Sequence, residues 1–322
     1  MTVRDGWIDV HHHAYHPALV AELRESGVTH MAPGVPVPRW TPEGSIGVMD
    51  RCGIAGAVLS VLLPDAALRD GEGQGLVRRT NTRTAELARD HPGRFAALAS
   101  LPLPDVRATL AEIDHAFDRL GMGGAVIPAS LPDGRLPGDP LLAPVFEELN
   151  RRQAVVFLHP NPAVRCECAG YAGPGPRVPP PVVDFVMDTT RCVVDLLYRG
   201  VLERNPDIRF VLAHAGGTVP YLLERIELGA VWVAKGNDYA RPESVRHHLS
   251  RLYYEVAQSA WPGVFDCLRA MTHPHHILFG TDFPFMPESV IERTRDRIRG
   301  EKEPGAEEIG RANPLALFPG LV

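Results

Sequence analysis

Lysine is almost missing from this 322-residue chain. It occurs only at 235 and 302, so arginine supplies nearly all of the 33 basic residues that stand against 39 acidic ones. With a formal net charge of -6 and no run where positive charge gathers, neither nucleic acid nor an anionic membrane surface is an expected partner. Cysteine is scarce too. The five cysteines, at 52, 166, 168, 192 and 267, are odd in number and lack framework spacing, which points to reduced thiols in a cytoplasm and away from a disulfide scaffold. Cys166 and Cys168 have no second pair and make a poor structural zinc site. No segment approaches the roughly 18 apolar residues of a membrane span, and Met1 to Trp7 contains no apolar signal region. A soluble, cytoplasmic protein is expected.

Hydrophobic residues make up 45% and charged residues 22% of the chain, enough for a substantial core. Apolar, strand-like runs recur at Trp7 to His13, Ala55 to Leu62, Phe95 to Leu103, Gly124 to Ser130, Ala154 to Pro160, Arg209 to Ala215, Leu252 to Gln258 and His276 to Asp282. Helical patterns fall between most of them, around 74 to 91, 105 to 120, 140 to 152, 184 to 204, 218 to 234 and 262 to 271, with more after 287. Eight strand-then-helix units predict an α/β fold, a (β/α)8 TIM barrel in one domain spanning 1–322. Two segments, Gly34 to Ser45 and Asn161 to Pro181, are rich in proline or glycine and too long for plain connectors. They are expected as inserted loops after strands one and five, on the face where such barrels place their sites.

Chemistry gathers at the predicted strand ends. Alternation along a strand puts Asp9, His11 and His13 on one face and His12 on the other, with His11 and His13 roughly 7 Å apart at Cα, close enough to share a metal. His159 ends strand five, His214 strand six and Asp282 strand eight. In a barrel these ends meet at one mouth, and imidazoles with a carboxylate suit zinc first, with manganese or iron as alternatives.

These motifs resemble those of the amidohydrolase superfamily, in the branch typified by aminocarboxymuconate-semialdehyde decarboxylase. The segments that carry the likeness are Ile8 to His13, Val156 to Pro160, Asp188 to Gly217 and Leu278 to Pro284. The resemblance implies a metal-dependent hydrolase type of barrel in which His11, His13, His159 and Asp282 hold one divalent metal and His214 acts beside it as acid, base or orienting group. Many members bridge two metals with a carboxylated lysine on strand four; Gly124 to Ser130 has none, so one metal is expected. Val35 to Trp40, Ser45 to Ala55, Ala99 to Asp105 and Asp188 to Arg191 look like the 6-methylsalicylate decarboxylase group. That likeness implies loss of CO2 from an ortho-hydroxy aromatic acid without an organic cofactor, Asp282 serving as both ligand and catalytic residue. The alternative is a metal-dependent hydrolase of a lactone or amide on the same scaffold.

Trp40, Phe283 and Phe285 are candidates to wall an aromatic pocket, or core filler. Arg225 lies eleven residues after His214. In related decarboxylases such an arginine binds the substrate carboxylate, sometimes across a dimer, and a homodimer or higher homo-oligomer is accordingly expected; the other reading pairs Arg225 with Glu224 or Glu227. Asp188 and Arg191, three apart on a predicted helix, read as an ion pair. The remaining nine histidines match no motif and are expected as surface or core residues.

Overall fold

The computed structural model describes residues 5–32, 34–68, 73–161, 178–233, 241–301 and 305–321. Eight parallel strands form the barrel: β1 (Trp7–His13), β2 (Ile54–Ser60), β3 (Phe95–Ala97 with Ala99–Ser100, interrupted at Leu98), β4 (Gly124–Pro128), β5 (Val155–His159), β6 (Arg209–Leu212), β7 (Tyr253–Glu255) and β8 (Ile277–Leu278). Each pairs with its neighbours in chain order. The ring closes between β8 and β1, where Val10 N donates to Phe279 O at 3.0 Å, Asp282 N to His11 O at 2.8 Å and His13 N to Phe283 O at 2.7 Å. Strands covered on both sides read as unbroken apolar runs because both faces are buried; every residue of β1, β2 and β5 is buried.

Helices pack outside this ring. In α3 (Gly73–Asp90) the buried residues Leu76, Val77, Thr80, Asn81, Thr84 and Leu87 fall three or four apart, the spacing of one helical face turned to a core. The same logic holds for α6 (Asp184–Tyr198), with Cys192, Val193, Leu196 and Leu197 inward. Among the described residues no helix is long and apolar enough to cross a membrane.

The structure corrects the expected alternation along β1. Pairing with β2 runs Asp9 to Ala57 but His12 to Leu59, so an extra residue is accommodated between them. Such a bulge reverses the in-and-out alternation beyond it. Ile8 and Val10 pack with Phe157 and Val211, while Asp9 shares a side with His12, its Oδ2 accepting from His12 Nδ1 at 2.9 Å. His11 and His13 turn the other way. A period-two reading has no means of seeing the bulge.

The segment from 34 to 45 does not run straight on from β1. Helix α1 (Pro17–Glu25) and a short strand, His30–Ala32, come first, and Val35–Pro36 within the segment pairs back on that strand as a hairpin. Residues 42–45 already belong to α2 (Pro42–Arg51), whose first turn is capped by Thr41 Oγ1 accepting from Gly44 N at 3.0 Å. The prolines suggested a loop, yet Pro42 sits at the first helical position, where its missing N–H costs nothing. Helix α9 (Pro242–Ser250) was likewise unforeseen and also opens on a proline. Most of the second expected insertion, residues 162–177, lies outside the described residues, as do Cys166, Cys168, Lys235 and Lys302.

Asp9 ties the closure together. It is fully buried and accepts from His11 N at 3.0 Å, His12 Nδ1 at 2.9 Å, Thr281 N at 2.9 Å and Thr281 Oγ1 at 2.5 Å. Replacing it with alanine strands these donors in a dry interior, so Asp9→Ala should cost about 3 kcal/mol or more in urea unfolding. A loss under about 1 kcal/mol would mean the seam does not depend on this carboxylate.

Candidate metal centre

Donor atoms of four side chains, His11, His13, His159 and Asp282, lie within 4.8 Å of one another, and all four residues are buried. Three of these atoms are crowded tighter still. His11 Nε2 stands 3.0 Å from His13 Nε2, and Asp282 Oδ1 stands 3.2 Å from the first and 3.1 Å from the second. The His159 ring lies 5.0 Å from that of His11 and 4.9 Å from that of His13, nearly perpendicular to both.

The far side of each ring explains the crowding. His11 Nδ1 is 2.9 Å from Glu255 Oε1, His159 Nδ1 is 2.8 Å from Pro160 O and His13 Nδ1 is 3.3 Å from Ser60 Oγ. With acceptors on the Nδ1 side, the neutral rings carry their protons there and turn bare Nε2 lone pairs inward. Lone pairs about 3 Å apart in a buried site repel unless a proton or a cation sits among them. Donors on adjacent vertices around one ion, each at about 2.1 Å, stand about 3.0 to 3.4 Å apart, which this triangle matches. The residues fit a single divalent ion.

Electrostatics point the same way. Burial disfavours a charged His11, but the Glu255 and Asp282 carboxylates outweigh it and hold its pKa up at about 10. Burial lowers His13 and, with the neighbouring imidazoles, pushes His159 well down, so both stay neutral. Burial would raise Asp282 and Glu255; charge on His11 overrides it and keeps both ionised. A divalent cation among the donors takes the place of the proton that the two carboxylates otherwise hold on His11, whose Nε2 is then a bare donor.

His214 comes to the same place from the end of β6, in a short 3-10 turn, His214–Gly216. Its ring lies 5.1 Å from that of His11 and 6.0 Å from that of His159, and its Nδ1 is 3.3 Å from Ala257 O. The other expected residues divide. Phe285 packs on His13 at 5.4 Å and Tyr15 at 5.8 Å, whereas Phe283 lies over His12 at 4.9 Å, away from the lone pairs. Trp40 is buried with its indole N–H unpartnered. Arg225 is exposed on α8 (Leu223–Val233), and Glu227, one of its expected partners, pairs instead with Arg246 at 2.6 Å.

Residues 8–319 match the amidohydrolase family. A decarboxylase of Aspergillus niger, YanB, is 32% identical over 97% of this chain and 87% of its own length, and the 6-methylsalicylic acid decarboxylase of Penicillium expansum is 30% identical over 98% and 96%. The chain belongs to the amidohydrolase family. A solved amidohydrolase II structure superposes on this amidohydrolase with a TM-score of 0.86 at 27% identity, covering 97% of this chain and 99% of the other.

Sequence reasoning missed the amidohydrolase's Glu255. It is fully buried at the end of β7 and accepts from His11 Nδ1 and, at 2.5 Å, from His214 N, while its other oxygen accepts from Ala257 N at 2.7 Å. Gly280 leaves room for it: a side chain there would collide with the Glu255 carboxylate and with His11 Cβ. The only signal was one glutamate in an otherwise apolar strand. The Asp188 and Arg191 ion pair is also corrected. Asp188 is buried and takes Ser130 Oγ at 3.1 Å and Asn161 N at 2.8 Å, joining the ends of β4 and β5 just past His159.

Because Glu255 fixes the His11 tautomer, Glu255→Gln should lower affinity for zinc about 10- to 100-fold, measured by competition with a chelating dye. Unchanged affinity would show that His11 needs no carboxylate behind it.

Proposed function

We propose that this chain is a non-oxidative decarboxylase of ortho-hydroxy aromatic acids of the salicylate type, working with one divalent ion held by His11, His13, His159 and Asp282. The observation that carries the metal assignment is the convergence of imidazole nitrogens and a carboxylate oxygen about 3 Å apart in a buried site at the carboxyl ends of the strands. Likeness along nearly the whole chain to proteins named decarboxylases supports the reaction class; the hydrolase alternative has no such support. Zinc is the first expectation from the donor set and manganese the second.

When bound, the ion supplies a Lewis acid that holds the substrate carboxylate and the neighbouring phenolate oxygen. The chain's own residues do the rest. His214, its Nδ1 turned to Ala257 O, keeps Nε2 for the phenol oxygen or for a proton. Between them, His214 and Asp282 carry the proton to the ring carbon that bears the carboxylate. Forming that C–H bond draws on the ring electrons. The bond to the carboxylate then breaks, its electron pair restores the aromatic ring, and CO2 leaves. One carboxylate and one proton give one arene and one CO2, with no redox partner. Phe285, which packs on His13, and Trp40 are the candidate aromatic walls, while Phe283 lies over His12 instead.

Helix α8 supports a dimer. Tyr221 just before it, then Arg225, Leu228 and Trp232, recur at the spacing of one helical face and are all exposed, Tyr221 at 82% and Trp232 at 79%. Two large aromatics in water around an arginine suit a second copy of the chain, with Arg225 offered to a substrate carboxylate.

Metal-loaded protein incubated with salicylate-type acids should release CO2 and the decarboxylated phenol, and chelator-stripped protein should not. His214→Asn should keep its metal and lose about 10²- to 10⁴-fold in kcat. Opening of lactones without CO2 release would overturn the assignment. In sedimentation, the native chain should be a dimer and Trp232→Glu a monomer; a fully active native monomer would remove the proposed role of α8.

A further inference from the structure

The tip of β7 carries none of the residues expected at the site, yet it touches most of them. Glu255 serves His11 and the His214 backbone, Ala257 O faces His214 Nδ1, and Gln258 Nε2 donates to Asp282 Oδ2. The last contact divides the Asp282 carboxylate between two jobs. Oδ1 lies 3.2 and 3.1 Å from the two inward Nε2 atoms, while Oδ2 is turned away to an amide.

Backbone geometry singles out the same residue. Among the described residues, the non-glycine residues with left-handed backbone are Gln153, His214, Ala215, Gln258 and Asp282. All except Gln153 stand at the ends of β6, β7 and β8, around the mouth. Gln258 has φ 56°, beside 53° at His214 and 59° at Asp282. A side chain in this region costs of order 1 kcal/mol or more and persists where the surroundings impose it, most often at functional sites. Here Ser259 N to Val256 O at 3.0 Å and Trp261 N to Ser259 O at 2.8 Å hold the turn. Gln258 is an exposed residue, so nothing about core packing requires glutamine. Glycine would suit the backbone better.

The geometry points to Gln258 as a positioning residue that holds Asp282 to a single donor oxygen at the metal centre. An amide N–H on Oδ2 fixes the carboxylate plane and prevents the second oxygen from swinging in to claim another coordination position. That position is then left for the substrate. The inference rests on the metal-centre reading above and adds to it a residue in the turn just past a strand that supplies no ligand.

Gln258→Gly and Gln258→Asn test it, because both residues tolerate a left-handed backbone while neither reaches Asp282 as glutamine does. Apo-protein titrated with Co(II) reads the site without turnover. Both variants should keep or raise the wild-type Tm, bind Co(II) about 10- to 100-fold more weakly and show a weaker visible band, as coordination number rises. In decarboxylation assays kcat should fall more than KM changes. Wild-type affinity and spectrum in both variants would overturn the proposal, as would weaker binding that merely tracks a falling Tm. A wild-type chain that takes up no Co(II) would remove the metal-centre reading itself, and this one with it.

Discussion

Bare imidazole nitrogens and a carboxylate oxygen do not stay about 3 Å apart in a dry interior without positive charge among them. The rest of the structure depends on that constraint. Each ring is held from behind, His11 by Glu255, His13 by Ser60 and His159 by the carbonyl of Pro160, so that what faces inward is lone pair. The barrel supplies the reach: β1, β5 and β8 are distant in sequence, and closure of the sheet sets β8 beside β1 and brings the carboxyl end of β5 to the same mouth.

The supports are as deliberate as the donors. Asp9 sits on the far side of β1 and fastens the tip of β8 through Thr281, thereby fixing Asp282 against His11 and His13. Asp188 does similar work at β4 and β5, next to His159. His12, which points away from the donors, bonds Ser45 Oγ at 2.6 Å and so pins α2 to the barrel. A triplet of histidines is thus divided between two tasks by the alternation of the strand, two rings facing the mouth and one fastening a helix, and the bulge brings Asp9 to the side of His12.

Much of this was legible in the sequence. Long apolar runs announced buried parallel strands, and His11, His13, His159, His214 and Asp282 at their ends announced a mouth, since one such histidine is ordinarily core but five residues all at strand ends are more than packing asks for. What escaped was set by contacts rather than by pattern. The bulge in β1 adds a residue without changing the apolar run. Proline at the start of α2 and α9 reads as a breaker unless its position in the helix is known. Glu255 and Gln258 belong to no motif, because their roles exist only once β7 lies beside β6 and β8. Phe283 and Phe285 are alike in sequence and part company only in three dimensions.

X-ray absorption on protein loaded with zinc or manganese, combined with elemental analysis, tests the central claim most directly. The account predicts one ion per chain, bound by three imidazole nitrogens and one carboxylate oxygen, with imidazole scattering lost in step as His11, His13 or His159 is replaced. Two ions per chain, or an ion whose ligand shell is unaltered by those replacements, would contradict it.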